Sequence, residues 1–137
     1  MGGQNGQTRL EASQQKGIES EARVVRVLND PGWFGRPAWF MAARLGTKQE
    51  DHRGIDIVIQ TSAYGFIFLQ VKSSVHRAEV WKRQHPNTDI VLVVVSCLDS
   101  DSVLRENVMS EIQSSLRSSV RERVDTRRVS NGSQRRR

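Results

Sequence analysis

Residues 54–74, GIDIVIQTSAYGFIFLQVKSS, decide how this chain folds. Two short runs rich in β-branched and aromatic residues, GIDIVIQ (54–60) and FIFLQVKSS (66–74), flank the turn-prone segment Thr61-Ser62-Ala63-Tyr64-Gly65. That is the pattern of a β-hairpin. If the five-residue loop closes it, Gln60 faces Phe66 and the same register puts Asp56 opposite Gln70. A slip of one residue would turn every side chain to the other face. Opposed residues share a face and alternate residues return to it, so Asp56, Gln70 and Lys72 are expected on one side of the hairpin. An acid, an amide and a lysine thus converge where plain packing would place apolar side chains.

The flanking sequence supplies the other elements. Residues 16–29, KGIESEARVVRVLN, read as a helix with Ile18, Val25 and Leu28 at helical spacing and Ala22 and Val24 beside them, stopped by Asn29-Asp30-Pro31-Gly32. Thr8 and Glu11 have the spacing of a capping box, so that helix could begin earlier. A strand is expected near 39–45, followed by TKQEDHR (47–53) as a polar loop. Residues 76–85 read as a helix ended by Pro86, with Ala78, Val80 and Trp81 for packing. DIVLVVVSC (89–97) is a continuous apolar run, the signature of a strand covered on both faces. A last helix is expected over 101–120, with Val103, Val108, Ile112 and Leu116 on one face. The order is that of an α/β fold, with residues 66–96 forming a right-handed crossover between parallel strands. Met41 and the three tryptophans read as core.

The chain has 137 residues, enough for one domain that buries about two-thirds of its unfolded surface. The divisions expected are an N-terminal extension or helix start (1–15), a folded domain (16–116) and a basic tail (117–137). Neither an apolar run of about 18 residues nor the apolar centre of a signal peptide is present, which points to a soluble cytoplasmic chain without a membrane span. Cys97 is the single cysteine, so neither a disulfide framework nor a Cys-based metal site can form within one chain. It is expected as a packed thiol. His52, His76 and His85 have no metal-ligand spacing.

The net charge of +6 is unevenly distributed. Residues 1–116 hold 13 basic and 13 acidic side chains, whereas residues 117–137 hold 8 Arg against Glu122 and Asp125. The tail is expected to be disordered at its end, either as a phosphate-seeking arm for nucleic acid or as a solubilising segment.

The hairpin residues and the element order resemble the PD-(D/E)XK nucleases. Their restriction-endonuclease-like core is an αβββαβ arrangement with a mixed sheet flanked by helices, here with an extra C-terminal helix. Their signature is an Asp on one hairpin strand, then an acid or glutamine two residues before a lysine on the next. Asp56 in GID and Gln70 and Lys72 in QVK occupy those positions. The usual second acid is Gln70 here, a departure shared by the Mrr-type nucleases. Small members such as archaeal Holliday-junction resolvases carry a helix glutamate in a K-G-x-x-x-E pattern, matched by Lys16-Gly17 through Glu21. Glu19 competes for that role. Glu21 lies on the apolar stripe, three residues after Ile18 and seven before Leu28, while Glu19 is expected on an outer face with Arg23 and Arg26.

The resemblance implies an endonuclease that hydrolyses DNA phosphodiester bonds with a metal-activated water. Magnesium prefers an octahedral shell of oxygens and keeps several waters, so one or two carboxylates and a phosphate oxygen suit it; Mn²⁺ is the expected substitute. Asp56 is the first direct ligand. Gln70 can offer its amide oxygen, Glu21 can compensate for the missing charge, and the Val71 carbonyl follows as a ligand by resemblance. Lys72 would orient the water and stabilise developing charge. Asp51 reads as a solvated loop charge or a further acid. Ser73, Ser74, Arg77, Lys82 and Arg83 are candidate DNA-phosphate contacts, with a solvated helix face as the alternative for the basic three. One small domain offers one active site, so cutting both strands would require a homodimer or two encounters. Two other readings stay open: a binding module that has lost turnover, and an unrelated α/β interaction domain in which Asp56 and Lys72 form a salt bridge.

Overall fold

The computed structural model describes the backbone of residues 17–135 and the side chains of residues 17–119. Helix α1 (17–28) presents Val24, Val27 and Leu28 to the core, all nearly inaccessible. Ile18 is exposed instead, because the buried stripe runs through Val24 rather than through Ile18. The Asn29 side chain both donates to the Ala43 carbonyl and accepts from the Ala43 N–H, each at 2.8 Å. Those bonds satisfy part of an otherwise open sheet edge.

The edge strand is β1 (Phe40–Leu45), followed by β2 (Ile57–Thr61), β3 (Phe66–Lys72) and β4 (Val91–Val94). They form a four-stranded mixed sheet in the order β1-β2-β3-β4. The first two pairings are antiparallel and the last is parallel. Gln60 pairs with Phe66 and Ile57 with Leu69, the register expected from the five-residue loop.

Helices cover both faces of the sheet, which makes the chain α/β. Helix α3 (Val75–Gln84) links the parallel strands β3 and β4, capped by the Ser74 hydroxyl accepting from the Arg77 N–H. It packs Ala78 and Trp81 on Leu92. Val91, Val93 and Val95 enter the opposite core, shared with α1 and with α4 (Asp101–Arg135). The central part of the apolar run, residues 91–95, is therefore covered on two sides, as its pattern implied.

Several expectations need correction. TKQEDHR is not a plain loop: Lys48–His52 form a short helix, α2, whose Thr47 and Glu50 make a reciprocal capping box. Helix α4 buries Leu104, Val108 and Ile112, while Val103, one position out of phase with that stripe, is exposed. It also continues beyond residue 120 through most of the arginine-rich segment. Met41 lies beside an irregularity in the β1–β2 register and is exposed. Cys97 is exposed too, because the chain has left the sheet at a turn before reaching it. The expected Thr8–Glu11 capping box and the extension over 1–15 lie outside the described residues. Among the described residues, no helix is long and apolar enough to cross a membrane.

Candidate active site

Strand β2 ends where the sheet opens. The Asp56 N–H still donates to the Leu69 carbonyl at 2.8 Å, and its carbonyl accepts from the Gly46 N–H at 2.8 Å. One ladder position on, Asp56 Oδ2 accepts the Val71 N–H at 2.8 Å, so a side-chain carboxylate replaces a backbone partner. Gly46 makes the close approach feasible: a Cβ there would collide with the Ile55 carbonyl oxygen. Gly54 turns the chain into Asp56 with φ of 84°, a left-handed conformation that L side chains rarely adopt.

Around this opening lies a cleft of about 910 Å³ lined by Glu21, Asp56, Gln70, Val71 and Lys72. Asp56 and Gln70 are buried, at 6% and 7% exposure, in a protein whose other deeply buried side chains are almost all apolar. Lys72 is half-buried. The Lys72 carbonyl accepts from the Val95 N–H at 2.9 Å, so Val71, the alternate residue, directs its N–H and carbonyl to the β2 side. Gln70 Oε1 is buried with no hydrogen-bond partner. An unsatisfied amide oxygen in such a position is costly unless something else engages it.

The acids are electrostatically coupled. Burial raises Asp56 to about 6; the Val71 N–H opposes this, Asp51 adds to it through charge and a side-chain hydrogen bond, and Lys72 lowers it. Burial likewise pushes Glu21 to about 7, reinforced by the negative charges of Asp56 and Asp51 and by a hydrogen bond with Asp56, while Lys72 again works in the opposite direction. Asp56, with the Val71 N–H to favour its anion, ionises first, and its charge then holds the proton on Glu21. Like charges brought together in this way, at a site half shut off from water, are a frequent mark of a functional centre.

Among the described residues, no three His, Cys, Asp or Glu side chains are spaced to hold a metal ion by themselves. A cation here would need neutral oxygens as well. The unpartnered Gln70 Oε1 and the β2-facing Val71 carbonyl are of the right chemical type, and with Asp56 and Glu21 they make an all-oxygen donor set suited to a hard divalent ion. The residues present fit such an ion.

The other sequence candidates divide. Ser73 and Arg77 line the cleft, and Ser74 is occupied as the cap of α3. Lys82 and Arg83 do not join them: they stand in the last turn of α3, about 10 Å farther along the helix axis than its start. Glu19 also lines the cleft, at an exposed position, but Glu21 is the glutamate coupled to Asp56.

Two contributors were undervalued by sequence reasoning. Asp51 is exposed yet coupled to both Glu21 and Asp56, and it is placed by α2, whose capping box was legible as T-x-x-E. Glu50 of the same helix is held down to about 2, first by the Arg44 side-chain hydrogen bond and then by the Thr47 backbone. Arg23, expected on an outer face, is half-buried and lines the cleft. It donates to the Ser96 carbonyl at 3.4 Å, to the Asp99 carbonyl, and to Asp101 Oδ1 at 3.1 Å. No sequence signal marked that role, since the acceptors lie more than 70 residues away.

Comparison with known proteins finds no significant match among family models, curated proteins or solved structures.

Proposed function

We propose that the cleft is the active site of a divalent-cation-dependent endonuclease of PD-(D/E)XK type, acting on DNA. The observation that carries the reading is the meeting of Asp56, Glu21, Gln70 and Lys72 around one cleft. The element order from α1 through β4, with the short α2 inserted, accords with a restriction-endonuclease-like core.

On this reading Asp56, Glu21, the Gln70 amide oxygen and the Val71 carbonyl would hold Mg²⁺ or Mn²⁺. Such an ion would supply charge neutralisation on the phosphoryl oxygens and a lowered pKa for an attacking water. The protein's own groups do the remaining work. Asp56 is anchored at the cleft by the Val71 N–H, which occupies one of its two oxygens. Lys72 carries a positive charge into the same space, where it orients the water and stabilises the charge that grows as the phosphorus–oxygen bond breaks. Ser73 and Arg77, on the adjoining wall, hold the phosphate next to the one being cut.

The test is nicking of supercoiled plasmid with Mg²⁺ or Mn²⁺. Wild-type protein should nick, and Asp56→Ala, Lys72→Ala or added chelator should abolish it. Metal-dependent DNA binding without nicking would favour the second reading, a binding module that has lost turnover.

A further inference from the structure

The turn after β4 carries a feature that the hydrolytic site does not use. Turn tips favour Gly, Asn, Asp, Ser and Pro, yet the two tip residues here are Cys97 and Leu98. Leu98 is 91% exposed. The comparably bare Phe34 precedes β1, whose first residue pairs at the hairpin end of β2, away from the cleft. Leu98 instead directly follows Ser96 and Cys97, which line the cleft wall together with Lys72 and Arg77.

The backbone of this apolar tip is also tied down by hydrogen bonds. The Asp99 N–H donates to the Ser96 carbonyl at 3.1 Å, and the Ser96 N–H to Asp99 Oδ2 at 3.0 Å. The Leu98 N–H donates to Ser96 Oγ at 3.2 Å. Arg23 then ties Ser96, Asp99 and Asp101 to α1. These bonds fix the backbone that carries Leu98, so the cost of ordering the turn is met before any ligand arrives.

We propose that Leu98 is a wedge that enters the base stack beside the phosphodiester held in the cleft, and that the preferred substrate is DNA already distorted there, by a bulge, mismatch or branch. The proposal rests on the nuclease reading above. The cations of the cleft wall engage the backbone while the apolar tip, one residue beyond, reaches the bases. Apolar side chains inserted between base steps unstack them, and the cost is least where pairing is already lost. A lone apolar residue on a protein surface would ordinarily need no explanation; its pinned position at the rim of this cleft is what requires one.

The experiment uses oligonucleotide duplexes, matched or with a one-base bulge, carrying 2-aminopurine beside the cleavage position. Fluorescence on protein binding and cleavage rate in Mn²⁺ are both recorded. Wild type should brighten 2-aminopurine and cut the bulged duplex at least about tenfold faster than the matched one. Leu98→Ala and Leu98→Lys should bind with little brightening and a preference reduced to about twofold, and Leu98→Met should restore both. Binding and cutting with the same fluorescence and preference in Leu98→Ala would overturn the wedge and leave the nuclease reading intact. If wild type neither binds nor cuts any duplex, the nuclease reading fails and the wedge falls with it.

Discussion

The Val71 N–H donates to Asp56 Oδ2 at 2.8 Å, so the carboxylate of one strand residue completes the ladder of the next strand. That bond fixes the acid at the point where the chain enters β2, and it makes the charge of Asp56 separable from its structural role. Asp56→Asn keeps an oxygen to accept from Val71 while removing the charge. The variant is expected to fold with a Tm no lower than wild type, since it relieves a desolvated anion. Its affinity for Mn²⁺, followed by calorimetric titration, should fall by at least about tenfold. A Tm drop with unchanged metal affinity would mean that the carboxylate is a structural group only.

Stability should decline as pH rises through neutrality. Glu21 at about 7 and Asp56 at about 6 both lie above their ordinary values of 4.5 and 3.8, so the native state binds these protons more tightly than the unfolded chain. Their contribution is complete below the ordinary carboxylate range and is lost as pH rises through the folded values. Glu50 has the opposite sign, but its window lies between 4.5 and about 2, so it does not cancel the effect near neutrality. The metal-free Tm at pH 5 should exceed that at pH 8 by roughly 3–6 °C, allowing for solvent screening. Glu21→Gln should remove most of the difference. Binding of a divalent ion at pH 6.5 should release protons, because a cation reverses the repulsion between the acids. A higher metal-free Tm at pH 8 would contradict this electrostatic account.

Gly46 should tolerate no side chain. Its Cβ would meet the Ile55 carbonyl, a backbone atom that cannot swing aside, so Gly46→Ala is expected to destabilise by about 2–4 kcal/mol in urea unfolding. Gly17, with nothing within 4 Å of its added Cβ, is the control. Gly17→Ala should change stability by less than about 0.5 kcal/mol or increase it slightly. Equal losses at the two positions would disprove the steric assignment.

The hairpin was the most legible part of the chain, because alternation and a five-residue loop constrain register together, and Gln60 does pair with Phe66. The regular pairing stops at Ile57 and Leu69, and Asp56, which bonds to the Leu69 carbonyl, joins Gln70 and Lys72 in lining one cleft. Helix phase was harder to read. In α4, Val103 and Leu104 are neighbours of similar hydropathy, and only packing against β4 selects Leu104 for the core. In α1 the stripe through Ile18, Val25 and Leu28, with Val24 beside it, leaves out Val27, which is buried while Ile18 is exposed. The roles of Arg23 and Asp51 depend on contacts distant in sequence, which local periodicity does not encode. Cys97 reads as a packed thiol because it follows the most apolar strand, but the Ser96–Asp99 turn carries it out to an exposed position.

The phase of α4 is directly measurable. Leu104 is fully buried, so Leu104→Ala should cost about 2–5 kcal/mol, whereas Val103→Ala, 40% exposed, should cost under about 1 kcal/mol. The reverse order in chemical denaturation would place the helix about 100° away from its position against β4.

The account is tested most directly by plasmid nicking measured across a range of Mn²⁺ concentrations for wild type, Asp56→Asn and Lys72→Ala. Wild type should nick in a saturable, chelator-sensitive manner. Lys72→Ala should lower the plateau by at least about a hundredfold with the midpoint moved less than about threefold, while Asp56→Asn should move the midpoint by about tenfold or more. Nicking that survives both substitutions unchanged, or a wild-type protein that binds neither Mn²⁺ nor DNA, would contradict the assignment of this cleft to metal-dependent phosphodiester hydrolysis.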